Sequence, residues 1–473
     1  VIQEPLRGEA SAIPLQILKE YRDFAGISPD APLCKAPFIS MRFNRTGGVT
    51  PCCQNYHLDS IMGKGLLEVW KGEAYRTLRR KILDNDLDGQ CDFCKTNLLN
   101  SDYGNVLASF YDSFEIQDKG YPVYLDFSID NKCNLRCIMC NGSLSSAHNL
   151  AGEKLTAPPI YDEHFLNELE TLIPHLEFAI FSGGEPFIIE SYYRIWERIF
   201  VLNPKLNIVI TTNAAILSDR AKEIIERGRC SFNVSIDSLD PQVYESIRVN
   251  AGFAKIFENL HYLIDYSRRK GTNLTLAACP MNMNWQTLPE LVTFCIREKL
   301  NLYFNLVTKP WKVALWALSE KKLREIAGFL QDHLPPQANG VQTDQWLQVQ
   351  ILIQQCLTWA NQSGYFQQHP DEFLVPVDEF ISTISDYISG DAAFRGSDEN
   401  DKTKVQIKMD EVLRLLPVAF FTDFFLERLL RIPASRLFSE ILNEQCETTA
   451  DNLCSIYYYA RGEKYTQRSF TSQ

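Results

Sequence analysis

The chain has no excess of positive charge. Its 473 residues carry 47 Lys plus Arg against 59 Asp plus Glu, a formal net charge of −12. Broad binding to nucleic acid or to an anionic membrane needs a basic face, so neither partner is expected, although a local basic groove is compatible with the total. Nor is there a long apolar run free of charge. The most apolar stretch, Val412 to Ile432, contains Arg414, Asp423, Glu427, Arg428 and Arg431, which predicts a buried helix pair rather than a membrane span. The opening VIQEPLRGEASAIP lacks a basic segment followed by an apolar one, so a cytoplasmic location is expected. The composition is not skewed either. Hydrophobic residues at 45% and charged residues at 22% exclude a wholly disordered or fibrous chain. The length predicts roughly two to four domains, with cores that need no disulfide staples.

What the chain does have is cysteine, fourteen in all, eight of them between residues 34 and 140. In a cytoplasmic chain such a group reads as metal ligands or free thiols before disulfides. The sharper of two patterns is DNKCNLRCIMC, where three and two residues separate Cys133, Cys137 and Cys140. Three thiolates on a short loop can hold three irons of a cubane cluster and leave the fourth open to an outside donor. A four-cysteine cluster is closed and mostly moves electrons. A zinc loop with a distant fourth ligand would use the same residues. YLDFSID, Tyr124–Asp130, precedes the loop and has the composition of a strand. A second strand-like run, FAIFSGGEP, Phe178–Pro186, follows about 40 residues on. Its glycines permit close backbone approach, and its carboxylate suits an ammonium.

Together these segments resemble the CxxxCxxC loop and GGE motif of the radical S-adenosylmethionine (SAM) superfamily. The resemblance implies a [4Fe–4S] cluster on Cys133, Cys137 and Cys140, with SAM on the open iron. It implies that Ser182, Gly183, Gly184 and Glu185 hold the methionine amino group. The residue before the third cysteine is usually aromatic and packs near the adenine; here it is Met139, whose thioether can fill that space. Thr212, Asn213, Ser235 and Asp237 fall where the superfamily contacts the SAM ribose and carboxylate. Arg248, in YESIRVNAGF, resembles a further SAM-contacting segment. The implied chemistry is reductive cleavage of SAM to a 5′-deoxyadenosyl radical.

Further strands are predicted at Asn207–Ala214, Phe232–Asp237, Asn273–Cys279 and Leu302–Val307, with amphipathic helical patterns between them. Ser218 is placed to cap one helix and Gly228 to end it. Six strands alternating with five helices predict an α/β fold, an open (βα)6 partial barrel of parallel strands. The two motifs fall at strand C-terminal ends, where such folds carry their active sites. The expected organisation is an N-terminal extension over 1–30, a cysteine-rich domain over 31–117, the barrel over 118–335 and a mainly helical domain over 336–473.

The first cysteine pattern reads LCKAPFISMRFNRTGGVTPCCQN and then DGQCDFCKTN, with a helix expected over LEVWKGEAYRTLRRKIL. It resembles the SPASM or twitch auxiliary-cluster domain. That implies a second [4Fe–4S] cluster on Cys34, Cys52, Cys91 and Cys94, with Cys53 as the alternative to Cys52. Zinc suits four thiolates equally well on ligand chemistry. The order departs from the usual one, since these domains commonly follow the barrel.

Residues beyond about 335 match no motif; FRGSDENDKTK reads as a polar loop and the Phe-rich helices as core. Radical SAM proteins with such domains often modify ribosomally made peptides. The resemblance therefore implies a precursor-peptide substrate and a flavodoxin- or ferredoxin-type electron donor. The expected reaction is Cα epimerisation. The alternatives are another peptide crosslink or excision, small-molecule chemistry, or a non-enzymatic Fe–S or zinc interaction protein. An epimerase needs a hydrogen donor, and Cys356 is the candidate among the cysteines outside the two patterns.

Overall fold

A computed structural model describes residues 13–471, apart from 29–30, 55–56, 88–90, 100–102, 117–119, 149–159, 336–342, 431 and 433. The expected extension over 1–30 and the linker before the C-terminal region lie partly outside the described residues. The strands are β1 Ser40–Asn44, β2 Gly48–Thr50, β3 Asp59–Ser60, β4 Tyr124–Ser128, β5 Arg136–Cys137, β6 Phe178–Phe181, β7 Asn207–Thr212, β8 Arg229–Ser235, β9 Arg248–Val249, β10 Leu274–Ala278 and β11 Asn301–Phe304. All six predicted barrel strands form, as β4, β6, β7, β8, β10 and β11. The chain divides into two compact units. One comprises Val1–Leu135, Gly142–Ser235 and Ala254–Leu274; the other comprises Arg136–Asn141, Ile236–Phe253 and Thr275–Gln473.

In the first unit the strand order is β8-β7-β6-β4-β1-β2-β3. Strands β4, β6, β7 and β8 are parallel to their neighbours. The period-2 pattern puts one apolar row in register across them. Phe43 faces Phe127, Phe127 faces Phe181, Phe181 faces Ile210 and Ile210 faces Phe232. The Phe127 and Phe181 rings stack at 4.7 Å between centroids. All five side chains are buried, each worth roughly 1.5–3 kcal/mol. This row holds the strand ends in register, and the chain turns off into functional loops one to two residues later.

The N-terminal cysteine-rich segment joins the same sheet. Strand β1 pairs with β4 in parallel, Ser40 opposite Tyr124 through Asn44 opposite Ser128, and β2 and β3 extend it antiparallel. The sequence reading placed no strand in FISMRFN. The helix expected over LEVWKGEAYRTLRRKIL is two helices, Leu66–Trp70 and Glu73–Leu83. The break falls at Gly72, where a Cβ would meet the Glu68 carbonyl at 2.9 Å. Ser218 caps its helix as expected, accepting the Ala221 N–H, and Gly228 ends it.

In the second unit β10 and β11 are parallel, and Ile236 N–H donates to the Ala277 carbonyl at 3.0 Å. The C-terminal region is helical, with Asp344–Gln368, Val377–Ser389, Glu399–Arg414 and Asp423–Leu430 among its helices. Phe420, Phe421, Phe424 and Phe425 are buried, as core. FRGSDENDKTK is not a loop. Its end forms the first turn of Glu399–Arg414, capped by the Asp398 carboxylate on the Asp401 N–H. The polar run is the outer face of a helix that buries Val405, Met409, Val412 and Leu413. Among the described residues no helix is long and apolar enough to cross a membrane.

Candidate active site and auxiliary cysteine site

The cysteines of CxxxCxxC are divided between the units, Cys133 in the first and Cys137 and Cys140 in the second. In the first unit the loop after β4 is pinned by its own polar groups. Cys133 N–H donates to Ser146 Oγ at 3.2 Å and Lys132 N–H to Asp130 Oδ1 at 3.0 Å. The loop after β6 packs on it. Gly183 and Gly184 have φ of +79° and +53°, a region that L side chains avoid. A Cβ on Gly184 would lie 2.1 Å from the Lys132 carbonyl oxygen. One on Gly183 would lie 2.8 Å from the Asp130 carbonyl and from Ser128 Oγ. Only glycines let the two loops approach this closely.

Glu185 is fully buried, and its carboxylate is committed to the loop. Oε1 accepts from Thr212 Oγ1 at 2.7 Å and from the Phe187 N–H at 3.1 Å; Oε2 accepts from the Asn213 N–H at 2.7 Å. Hydrogen bonds to an ionised acceptor are the strong kind. Glu185 thus ties the end of β7 to the turn after β6. Asn213 then reaches the first cysteine, donating from Nδ2 to Cys133 Sγ at 3.8 Å and to Asn134 Oδ1 at 3.1 Å. Ser182, half-buried, bonds back to the Phe127 carbonyl. Sequence reasoning missed Ala214, a non-glycine at φ +54°, whose carbonyl accepts from the buried Asn259 at 2.8 Å. Such strain persists only where the surroundings over-determine it.

In the second unit a two-stranded ribbon pairs β5 with β9, setting Cys137 opposite Arg248. Cys140 N–H closes a turn on the Cys137 carbonyl at 3.0 Å, with Met139 half-buried between them. Arg248 donates to Cys137 Sγ at 3.7 Å and lies 2.7 Å from Asp237 Oδ2 through Nε. The N–H is not aligned on that oxygen, so this is an ion contact rather than a directed hydrogen bond. Burial opposes the guanidinium charge, and the anions around it, Asp237 first, outweigh burial and hold the pKa well above the usual arginine value. Asp237 Oδ1 accepts the Cys279 N–H at 2.7 Å. Cys279 is half-buried at the end of β10; burial, and then Asp237, push its thiol up, with Cys137 and Cys140 among its charged neighbours. Ser235, half-buried, ends β8 in the first unit.

The structure places Cys356, the donor candidate, in a helical core. It is fully buried on Asp344–Gln368 with Val349, Leu352, Ile353 and Trp359. Burial alone pushes its thiol up to about 12. A sealed thiol behaves as a small hydrophobe.

The auxiliary cysteines meet around one cavity, whose walls include Cys34, Cys52, Cys91 and Cys94 with Leu33, Ile82, Leu98 and Tyr111. Cys53 does not line it and is exposed, so the geometry favours Cys52. Burial, then Cys52 and Cys94, raise Cys91 to about 12. Burial and the neighbouring Cys94 and Cys52 raise Cys34 as well. Backbone amides oppose this, from Ala36 toward Cys34 and from Ala108 and Leu107 toward Cys94. Four half-buried thiols, two of them with backbone amides aimed at them, suit bound metal, which takes them as thiolates. On ligand chemistry alone four thiolates suit either zinc or an iron–sulfur cluster.

Cysteines following β4, a glycine turn following β6 and four thiols lining one cavity are the features set against known families. Residues 127–295 match the Radical SAM superfamily, and residues 34–95 match an iron-sulfur cluster-binding domain, SPASM. The chain thus carries a radical SAM domain and a SPASM domain, whose cofactors are SAM and [4Fe–4S] clusters. Among curated proteins it is similar to the probable GTP 3′,8-cyclase of Methanocaldococcus jannaschii, 29% identical over 36% of this chain and 54% of that one. The GTP 3′,8-cyclase of Sulfurimonas denitrificans is 26% identical over 44% of this chain and 63% of that one. The matches thus span roughly half to two thirds of those relatives. Among solved structures, Streptococcus suis SuiB bound to S-adenosylmethionine aligns over 56% of this chain and 59% of that one, with 17% identity and a TM-score of 0.33.

Proposed function

We propose that the chain removes hydrogen from Cα of a ribosomally made peptide and delivers a different hydrogen to the opposite face, an L-to-D epimerisation. When bound, SAM and the cluster on Cys133, Cys137 and Cys140 supply the 5′-deoxyadenosyl radical that takes the hydrogen. Gly183 and Gly184 bring backbone to the methionine end of SAM, and Glu185 holds that turn against Thr212 and Asn213. Ser182, Ser235 and Asp237 stand at strand ends for the ribose and carboxylate, and Met139 beside the adenine.

The return hydrogen comes from a thiol. Of the cysteines outside the two clusters, Cys230, Cys295, Cys356 and Cys454 are buried, whereas Cys279 and Cys446 are half-exposed. Cys279 ends a barrel strand, where active sites of such folds lie. Its S–H gives a hydrogen atom to the carbon radical and is left as a thiyl. One electron and one proton restore it, the electron from a flavodoxin- or ferredoxin-type donor. The observation that carries this reading is the link from Cys279 to the cluster loop: its N–H is held by Asp237 at 2.7 Å, and Asp237 contacts Arg248, which donates to Cys137 Sγ.

A second reading, cyclisation of a purine nucleotide, is supported by the names of the curated relatives. Anaerobic turnover in D2O with SAM, a reductant and a peptide library, in parallel with GTP, separates the two. Epimerisation places one deuterium at Cα of a peptide whose mass is unchanged in H2O, and Cys279→Ala abolishes it. A mass change in H2O excludes simple epimerisation, and consumption of GTP favours the second reading.

A further inference from the structure

We propose that Arg248 is a positioning residue for the barrel cluster: its guanidinium, anchored by Asp237, bonds the Cys137 sulfur and sets how readily that cluster accepts an electron. The inference rests on Cys137 being a cluster ligand, as proposed above. The β5–β9 ribbon is two residues long on each side, and its register brings the backbone of Arg248 opposite that of Cys137. Ile138 N–H continues it with a bond to the Ile247 carbonyl at 3.0 Å. So short a ribbon buries little, and its consequence is to deliver one cation to one sulfur.

The guanidinium has little freedom there. The Arg248 and Asp237 side chains are 9% and 0% exposed. Asp237 is itself held by the Cys279 N–H on its carboxylate and by Asn284 Nδ2 on its carbonyl, at 2.7 and 2.9 Å. Nε of Arg248 lies against Asp237 and one terminal nitrogen faces Cys137. Reduction adds one negative charge to a cluster. A buried cation and an N–H···S bond at a ligand sulfur favour that state, and a buried carboxylate behind the cation offsets part of the effect. Removing the arginine and removing the aspartate therefore have effects of opposite sign. A residue that merely supports the fold gives no such pair.

The test is an EPR-monitored redox titration of the anaerobically reconstituted holoenzyme. The barrel cluster is recognised as the one whose spectrum changes when SAM is added. Arg248→Gln is expected to move its midpoint to lower potential, Asp237→Asn to higher potential, and Arg248→Lys to fall between Arg248→Gln and the wild type, since lysine keeps the charge without the planar fork. The auxiliary cluster's midpoint is expected to stay in place in all three. An unmoved barrel midpoint in Arg248→Gln together with weakened SAM binding overturns the proposal and assigns the guanidinium to the SAM carboxylate alone. If Arg248→Gln takes up no barrel cluster, the Asp237→Asn midpoint decides: a rise supports the proposal, and no change or a fall overturns it. Absence of any SAM-responsive cluster in the wild type would instead overturn the functional reading on which the proposal stands.

Discussion

The side-chain amide of Asn213 donates to the sulfur of Cys133 at 3.8 Å across 80 positions of sequence, while its backbone N–H donates to Glu185 at 2.7 Å. One asparagine thus links the first cysteine of CxxxCxxC to the glycine turn after β6, which we propose cradles the methionine end of SAM. The buried carboxylate of Glu185 keeps it there.

Loss of that carboxylate is expected to weaken SAM binding without emptying the site of iron. Glu185→Ala leaves the Thr212 hydroxyl and the Asn213 and Phe187 amides unpaired where Glu185 is now fully buried. Each bond to a charged group is worth about 1.5–3 kcal/mol, so SAM affinity should fall by at least about tenfold. Glu185→Gln should weaken it less. Equilibrium dialysis with iron analysis measures both, and unchanged affinity in Glu185→Ala would refute the linkage.

Gly184→Ala should abolish formation of 5′-deoxyadenosine. The methyl group would sit 2.1 Å from the Lys132 carbonyl at a φ of +53°, so the two loops must separate. Gly328→Ala serves as the control, because nothing lies within 4 Å of its Cβ position and it sits within the helix Glu320–Asp332. That change should leave turnover intact and stabilise the protein by roughly 0.5–1 kcal/mol. Product chromatography and a melting curve read the two effects.

The wild type should bind about eight irons and eight sulfides in two cubane clusters. Alanine at Cys34, Cys52, Cys91 or Cys94 should each remove about four irons and leave the SAM-responsive cluster. Alanine at Cys53 should remove none, because Cys53 lies outside the cavity wall. Iron loss in Cys53→Ala but not in Cys52→Ala would reverse that assignment, and zinc in place of iron would remove the auxiliary cluster altogether.

Asp126 gives the fold a pH dependence of known sign. It faces Arg42 across β1 and β4, Oδ2 to Nε 3.2 Å. Burial raises its pKa from 3.8 to about 6, although Arg42 pulls the other way. A carboxyl raised by folding is disfavoured in its ionised form. Its cost is fully present above about pH 6, shrinks as pH falls, and is gone below 3.8. The shift corresponds to at most about 3 kcal/mol. Asp126→Asn should therefore remove the part of the stability gain between about pH 7.5 and about pH 5.5 that this group supplies. Anaerobic urea unfolding at both values measures it, and equal pH dependence in the two proteins would refute the assignment.

The residue types and spacings of CxxxCxxC and SGGEP pointed locally to thiolate ligands and a tight turn, and their resemblance to the radical SAM motifs indicated the cofactor chemistry. The six barrel strands were readable for a related reason: a period-2 or continuous apolar run reports burial directly. Local sequence could not report what distant segments do to each other. FISMRFN reads as a strand only once β4 offers it a parallel partner, and FRGSDENDKTK reads as a loop until tertiary packing buries the other face of its helix. Cys356 and Cys279 are both plain cysteines in sequence; packing seals one in a helical core and leaves the other at a strand end. The commitment of Glu185 to Thr212 and Asn213, and of Arg248 to Asp237 and Cys137, was likewise decided by tertiary structure, since the direction of a hydrogen bond depends on atoms that meet only after the chain has folded.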